Sequence, residues 1–157
     1  GLRSAFQKDG TVTAGNASGI NDGAAALVLS RNAKGSRAKV MGYALAGVDP
    51  KVMGIGPIPA VLSLCKKLGV KPDSFDVVES NEAFAAQALA VSRALDLDPA
   101  RVSPEGGALA LGHPVGATGA RIVTTLLHAL HAHGKKRGVA TLCIGGGEAT
   151  AIAIETC

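Results

Sequence analysis

Two apolar runs close the chain, and they constrain its fold more than any other feature. Residues 138–144 (GVATLCI) and 149–156 (ATAIAIET) are separated by Gly145, Gly146 and Gly147. Short apolar runs of this kind read as buried strands, and the glycines between them allow the chain to reverse as a hairpin. Upstream, strand-like and helix-like segments alternate. Residues 22–30 (DGAAALVLS), 39–46 (KVMGYALA) and 76–79 (DVVE) are further strand candidates. GPIP at 56–59 opens a helix that runs through residue 68 and stops at Gly69. A second helical pattern covers residues 81–97 and a third 118–133, the latter ending in Gly134 and a basic cluster suited to the negative end of a helix dipole. This order predicts an α/β protein, a mixed sheet covered by helices. Aromatic residues are only 3% of the 157, whereas glycine fills 21 positions, so the core must be built from Ala, Val, Leu and Ile with closely approaching backbones. The polar stretch RNAKGSRAK at 31–39 reads as a linker, dividing the chain into residues 1–35 and 36–157.

The net charge of +4 comes from scattered clusters such as Arg37-Ala38-Lys39, Lys66-Lys67 and Lys135-Lys136-Arg137. These read as solvated surface, with some attraction for an anionic ligand. One tyrosine and no tryptophan leave little to stack bases, so nucleic acid is not an expected partner. Cys65, Cys143 and Cys157 are an odd number without a C-x-x-C pair. That argues against a disulfide framework or a structural zinc site and for a reducing, cytoplasmic setting. No run reaches the roughly 18 apolar residues of a membrane helix, and GLRSAFQKDG has no apolar signal core, so no membrane association is expected. The sequence begins at Gly1 rather than Met, and an upstream part is expected.

The candidates for chemistry sit at glycine turns and strand ends. Residues 106–121, GGALALGHPVGATGAR, hold His113 among five glycines directly ahead of the third helix. Imidazole titrates near neutrality, as proton transfer requires; the alternative is a loop histidine that only satisfies local hydrogen bonds. Cys143 lies where an apolar strand runs into glycines whose N–H groups can bind an oxyanion. Its alternative is a small buried hydrophobe. A phosphate loop is disfavoured there, because no G-x-x-x-x-G-K-[ST] pattern is present and no helix follows. Asn81, in NEAF, can cap the following helix or hold a water aimed at a substrate. His128, His131 and His133 do not share one helical face, so no metal site is expected.

In chain order, TVTAGNASGINDGAA, GPIPA, SNEAFAAQ, GGALALGHPVGATGAR and LCIGGGEATA closely resemble the successive signatures of the thiolase family. Its members are acyl-CoA acyltransferases that make or break a carbon–carbon bond next to a thioester. The likeness runs from Leu2 to Thr156. It implies a thiolase-type layered α-β-α fold with a mixed five-stranded sheet, incomplete on the amino-terminal side. Residues 1–35 would be the last piece of an amino-terminal domain and 36–157 a nearly whole carboxy-terminal domain.

The resemblance also implies roles. His113 matches the histidine that activates a nucleophilic cysteine and helps form an oxyanion hole, and Asn81 the asparagine that positions a water there. Cys143 matches the acid/base that removes the α-proton in condensation or protonates the leaving carbanion equivalent in thiolysis. The Gly145 N–H matches a donor of a second oxyanion hole, and Ser18, Met53 and Phe84 match residues lining the pantetheine and acyl pocket. A free thiol has a pKa of about 8.5, and slight lowering would let Cys143 exchange a proton both ways near neutral pH. CoA and acyl-CoA are substrates, so no cofactor is implied. Family members are dimers or tetramers, which implies a homo-oligomer, in the cytoplasm or in mitochondria or peroxisomes.

Two departures accompany this likeness. No residue matches the family's acyl-accepting cysteine, since Cys65 lies in the helical stretch CKKLG and Cys157 is terminal. The linker is also shorter than the family's helical connection. Two readings follow: an enzyme that acts when joined to its amino-terminal half, or an inactive truncated chain that at most binds CoA or a partner subunit. A decarboxylating ketosynthase, which shares the layered fold, would carry a second histidine where this chain has Cys143.

Overall fold

The computed structural model describes residues 1–31 and 33–157. The elements are β1 (Ala38–Gly47), a 3-10 stretch at Pro50–Ile55, α1 (Pro57–Leu68), β2 (Val77–Ser80), α2 (Ala85–Ala94), a single turn α3 (Ala108–Leu111), α4 (Thr118–Ala132), β3 (Arg137–Ile144) and β4 (Glu148–Thr156). The sheet order is β1-β4-β3-β2, with β2 and β3 parallel and the other neighbours antiparallel. The expected linker at 31–39 includes Asn32, which lies outside the described residues.

Successive strand residues point to opposite faces, and this alternation makes two cores. Val78, Val139 and Ala153 pack with α1, Phe75, Val91 of α2 and Leu95 just past its end. Their chain neighbours Val77, Ala140 and Ile154 face the other way, against Ile122, Leu126, Ala129 and Leu130 of α4. Helices therefore cover both faces, an α/β/α layering built almost wholly from small and branched aliphatics. Small residues set the spacing. Ala149, Ala151 and Ala153 are fully buried beneath α1, and at Gly138 a Cβ would press into Leu126 at 2.5 Å.

Three expectations need correction. Residues 22–30 form no strand: the segment carries no regular structure, and Val28 and Leu29 are 97% and 79% exposed. A short apolar run cannot by itself distinguish a strand from an extended segment lacking a pairing partner. Among the described residues the sheet accordingly has four strands, not five. A fifth lane exists only as the parallel bridge Val78↔Val102, extended by the Ser103 N–H donating to Val78 O at 2.8 Å. A helical turn at Pro99–Arg101 and the left-handed Ser103 (φ 45°) confine that pairing to one residue. The second helix is Ala85–Ala94 rather than 81–97, because Phe84 is extended (φ −143°, ψ 143°) and Asp96 is left-handed (φ 51°).

Candidate functional site

The parallel pair β2–β3 places two of the expected residues at one edge of the sheet. Ser80 is paired with Thr141, and the Asn81 N–H donates to Thr141 O at 2.9 Å, one rung beyond β2. Cys143 lies two residues past Thr141 on β3. Asn81 therefore leaves the sheet just past β2, and Cys143 sits in the last two residues of the parallel β3, so both lie at the carboxyl end of this strand pair, where open α/β sheets hold their ligands. Asn81 is 1% exposed and Cys143 8%.

His113 reaches this edge from the turn between α3 and α4. Gly112, at φ 93°, reverses the chain before it, in a region that costs a side-chain-bearing residue strain. The His113 N–H donates to Gly19 O at 2.9 Å, and Ile20 bridges His113 in parallel, so the amino-terminal segment holds the turn from outside. On the ring, Nδ1 lies 2.7 Å from Thr118 Oγ1 and Nε2 lies 3.5 Å from Asn81 Nδ2. The Thr118 hydroxyl gives its single proton to Pro114 O at 3.0 Å, so toward the ring it can only accept. The tautomer that satisfies both ring contacts at once carries its proton on Nδ1 and turns the Nε2 lone pair toward the Asn81 amide nitrogen, which can only donate. Such a neutral imidazole is a base at Nε2.

Its surroundings favour that neutral form. Burial, and then the nearby Arg121 cation on α4, hold the His113 pKa below the usual histidine value. Behind it, Glu79 on β2 is 1% exposed. Burial pushes its carboxyl up to about 7, against the opposing pull of Arg121. Glu79 Oε1, Asn81 Oδ1 and the Nε and Nη1 of Arg121 are all buried without a hydrogen-bond partner.

Asn81 is not the cap of α2. Phe84 occupies that position, and its N–H donates to Gln87 Oε1 at 3.4 Å, which leaves the Asn81 side chain for His113. Cys143 departs from expectation in another way: burial pushes its thiol pKa up, not down. At neutral pH it holds its proton and is an acid before it is a base. The turn beyond it is built from glycine for a physical reason. Gly146 and Gly147 have φ of 86° and 90°, and a Cβ on Gly147 would overlap Val48 O. Gly145 is exposed, with open space where a side chain would be.

Among the expected pocket residues, Ser18 and Phe84 share one junction. Ala17 bridges Phe84, and both the N–H and the hydroxyl of Ser18 donate to Ala83 O at 3.0 Å, so Ser18 braces the 81–84 turn. The Phe84 ring meets Phe6 edge-on at 5.6 Å. Met53 sits apart, on the 3-10 stretch that abuts α2 where Gly54 meets Gln87. The helical histidines go separate ways, His131 to Arg37 O at 3.2 Å and His133 to Glu105 at 2.7 Å. Cys65 is buried in α1 and Cys157 is exposed.

Sequence reasoning missed Thr118, Glu79 and Arg121. Signals were present: an acid inside the apolar run DVVES, and a hydroxyl and a cation one helical turn apart just after the glycine turn.

The same fold is found in solved thiolases. The Bacillus anthracis acetyl-CoA acetyltransferase superposes with a TM-score of 0.97 at 50% identity, over 100% of this chain and 41% of that one. Human mitochondrial 3-ketoacyl-CoA thiolase in complex with CoA gives 0.87 at 41% identity, over 99% and 41%. Residues 34–156 match the thiolase C-terminal domain and residues 1–33 the thiolase N-terminal domain, and the chain belongs to the thiolase family. Acetyl-CoA acetyltransferase of Shinella zoogloeoides is 54% identical over 99% of the chain. Beta-ketoadipyl-CoA thiolase of Pseudomonas knackmussii is 55% identical over 94%. The chain spans 41% and 39% of the length of these two relatives. Among the described residues, no helix is long and apolar enough to cross a membrane.

Proposed function

We propose that this chain carries the carboxy-terminal catalytic residues of an acyl-CoA acyltransferase that condenses two acetyl-CoA or cleaves a 3-ketoacyl-CoA with CoA. One observation carries the reading: the His113 ring is held between the Thr118 hydroxyl at Nδ1 and the Asn81 amide at Nε2, an arrangement that suits an Nδ1–H imidazole acting as a base at Nε2, at the carboxyl end of β2.

The roles follow from this geometry. His113 Nε2 takes the proton of a nucleophilic thiol, which the amino-terminal part of the enzyme supplies, and that thiolate accepts the acyl group from CoA. In the second half-reaction the substrate's thioester oxygen becomes negative. The imidazolium of His113 and a water held by Asn81 stabilise it, each donor contributing on the order of 10²- to 10³-fold in rate. Cys143 moves the α-carbon proton: in condensation its thiol gives its proton to the CoA thiolate that leaves on acyl transfer, and the thiolate so formed removes the α-proton; in thiolysis its thiol returns a proton to the α-carbon as the carbon–carbon bond breaks. A thiol whose burial favours the protonated form is suited to the second direction without prior ionisation. The Gly145 N–H would serve the tetrahedral oxyanion formed at the acylated nucleophile. Ser18, Met53 and Phe84 are assigned to the pocket for pantetheine and acyl group, and the complex of the human relative with CoA supports CoA as the partner. Homo-oligomerisation and a cytoplasmic setting belong to the same proposal, as does the inactivity of these 157 residues alone.

The test is a pre-steady-state assay with radiolabelled acetyl-CoA on an enzyme carrying this chain with its amino-terminal complement, scoring labelled enzyme separately from acetoacetyl-CoA. Cys143→Ser should spare labelling and nearly abolish condensation, because a hydroxyl ionises far too weakly to act as this base. His113→Ala should damage both steps. Equal loss of labelling in the two variants would refute the division of roles.

A further inference from the structure

We propose that Glu82 is the positioning residue of the His113 turn, tying it to the segment that carries Asn81. This deepens the reading of His113 as the reactive base and rests on it. Glu82 follows Asn81 directly, and its side chain reaches α3. There Oε2 accepts from the Leu109 N–H at 3.2 Å, in the first turn of the short helix that leads to Gly112 and His113. A carboxylate suits that place, because the first N–H groups of a helical turn have no partner within it.

The second observation is Gly107. A Cβ there would overlap the Glu82 carboxyl carbon and Oε2, so the carboxylate lies flat on the backbone in a space that only glycine leaves open. The third comes from the far side of the turn, where Arg121 of α4 lies close enough for Glu82 to oppose the lowering of the guanidinium pKa. Glu82 thus acts on both flanks of the turn: directly on the turn ahead of His113, and by charge on the helix behind it. The 3.5 Å separation of Asn81 and His113 Nε2 is then set by one side chain adjoining Asn81, rather than by two loops packed independently.

Four variants of the purified protein separate this from a general loss of fold. The readout is the pH dependence of His113 carbethoxylation by diethyl pyrocarbonate, mapped by mass spectrometry, with circular dichroism as the control for folding. The charge acting directly on His113 is Arg121 from α4; Glu79 from β2 and Glu82 act on Arg121, and Glu82 and Glu105 act on Glu79. Glu82→Gln keeps an acceptor for Leu109 and removes the charge, so the midpoint should stay below the ordinary histidine value or fall further. Glu82→Ala releases the turn, exposes the ring and should move the midpoint up toward the ordinary value, the opposite sign from charge loss alone. Gly107→Ala should reproduce Glu82→Ala, and the double variant should be no worse than Glu82→Ala, since the clash vanishes with the carboxylate. A low midpoint in folded Glu82→Ala, a rise in Glu82→Gln, or additive damage in the double variant would overturn the proposal. None of these readouts needs turnover, so a failed catalytic role for His113 would appear separately, as full activity in His113→Ala.

Discussion

Replacing Thr118 by valine tests the tautomer argument at its root. Thr118 is fully buried, and valine keeps its shape while deleting the hydroxyl. Two hydrogen bonds disappear, but their losses are unequal. Pro114 O retains the Ala117 and Thr118 N–H groups at 2.8 and 2.9 Å, whereas His113 Nδ1 loses the one partner it has. A partly buried donor left unsatisfied costs about 1–3 kcal/mol. The ring can escape that cost by moving its proton to Nε2, but an N–H there would face the Asn81 amide N–H, donor against donor. Either way the population of imidazole with a free Nε2 falls, and the same free-energy range corresponds to a loss of about 5- to 150-fold in the base. The assay is ¹H–¹⁵N correlation of the His113 ring together with the acylation rate. Wild type should show the Nδ1–H form, Thr118→Val a mixture or the Nε2–H form with acylation reduced in that range, and Thr118→Ser recovery of both. An unchanged Nδ1–H signature in folded Thr118→Val would refute the reasoning.

Other expectations concern stability. Glu79 has its pKa raised to about 7 from an unfolded value of about 4.3. Between those limits the native state binds the extra proton, so this residue's contribution falls as pH rises, by on the order of 3 kcal/mol. Denaturant titrations at pH 4 and pH 8 should show Glu79→Gln gaining on wild type by roughly that amount, and a constant difference would refute it. Asp76 is the opposite case. Its Oδ2 accepts from the Lys136 and Arg137 N–H groups at 3.0 and 2.9 Å, and the Arg137 bond, ahead of burial's opposing push, lowers its pKa. That stabilisation is complete above the unfolded pKa and is lost as pH falls through the lower folded value. Asp76→Asn should therefore cost about 1 kcal/mol at pH 7 after solvent screening, and little in strong acid. Gly147→Ala combines a left-handed φ with overlap on Val48 O. It should lower the urea midpoint by the equivalent of at least about 1–2 kcal/mol, and a neutral result would mean that the turn relaxes.

The sequence revealed most where a side-chain period or a special backbone angle leaves a mark. The strands around residues 39–46, 76–79, 138–144 and 149–156 and the helix ending at Gly69 appear within a residue or a few of their expected bounds. Gly69 has the left-handed φ of 69° that a helix stop requires. Strand count failed because residues 22–30 and Val102 differ in partners, and partners are not written in local pattern. The site was legible as residue types at glycine turns. Its arrangement was not: the Asn81–His113–Thr118 chain spans three elements, and only the parallel register of β2 on β3 sets Asn81 beside the strand that carries Cys143. Burial of the Cys143 thiol, which reversed the expected pKa direction, is likewise a property of the packed sheet and not of the CIGGG string.

The unequal lengths of the strand pairings have a bearing on how this protein would wear out. β1 and β4 share nine paired residues, β4 and β3 eight, but β3 and β2 only four. Asn81 hangs from one more rung past the last of those four. Ladders fray from their ends, and short ones fray more readily than long ones. Heat should therefore detach the Asn81 rung while β1, β4 and β3 remain zipped together, and the Asn81–His113 contact would be lost before any spectroscopic melting of the sheet. The useful lifetime of the Asn81–His113 arrangement is set by the shortest seam.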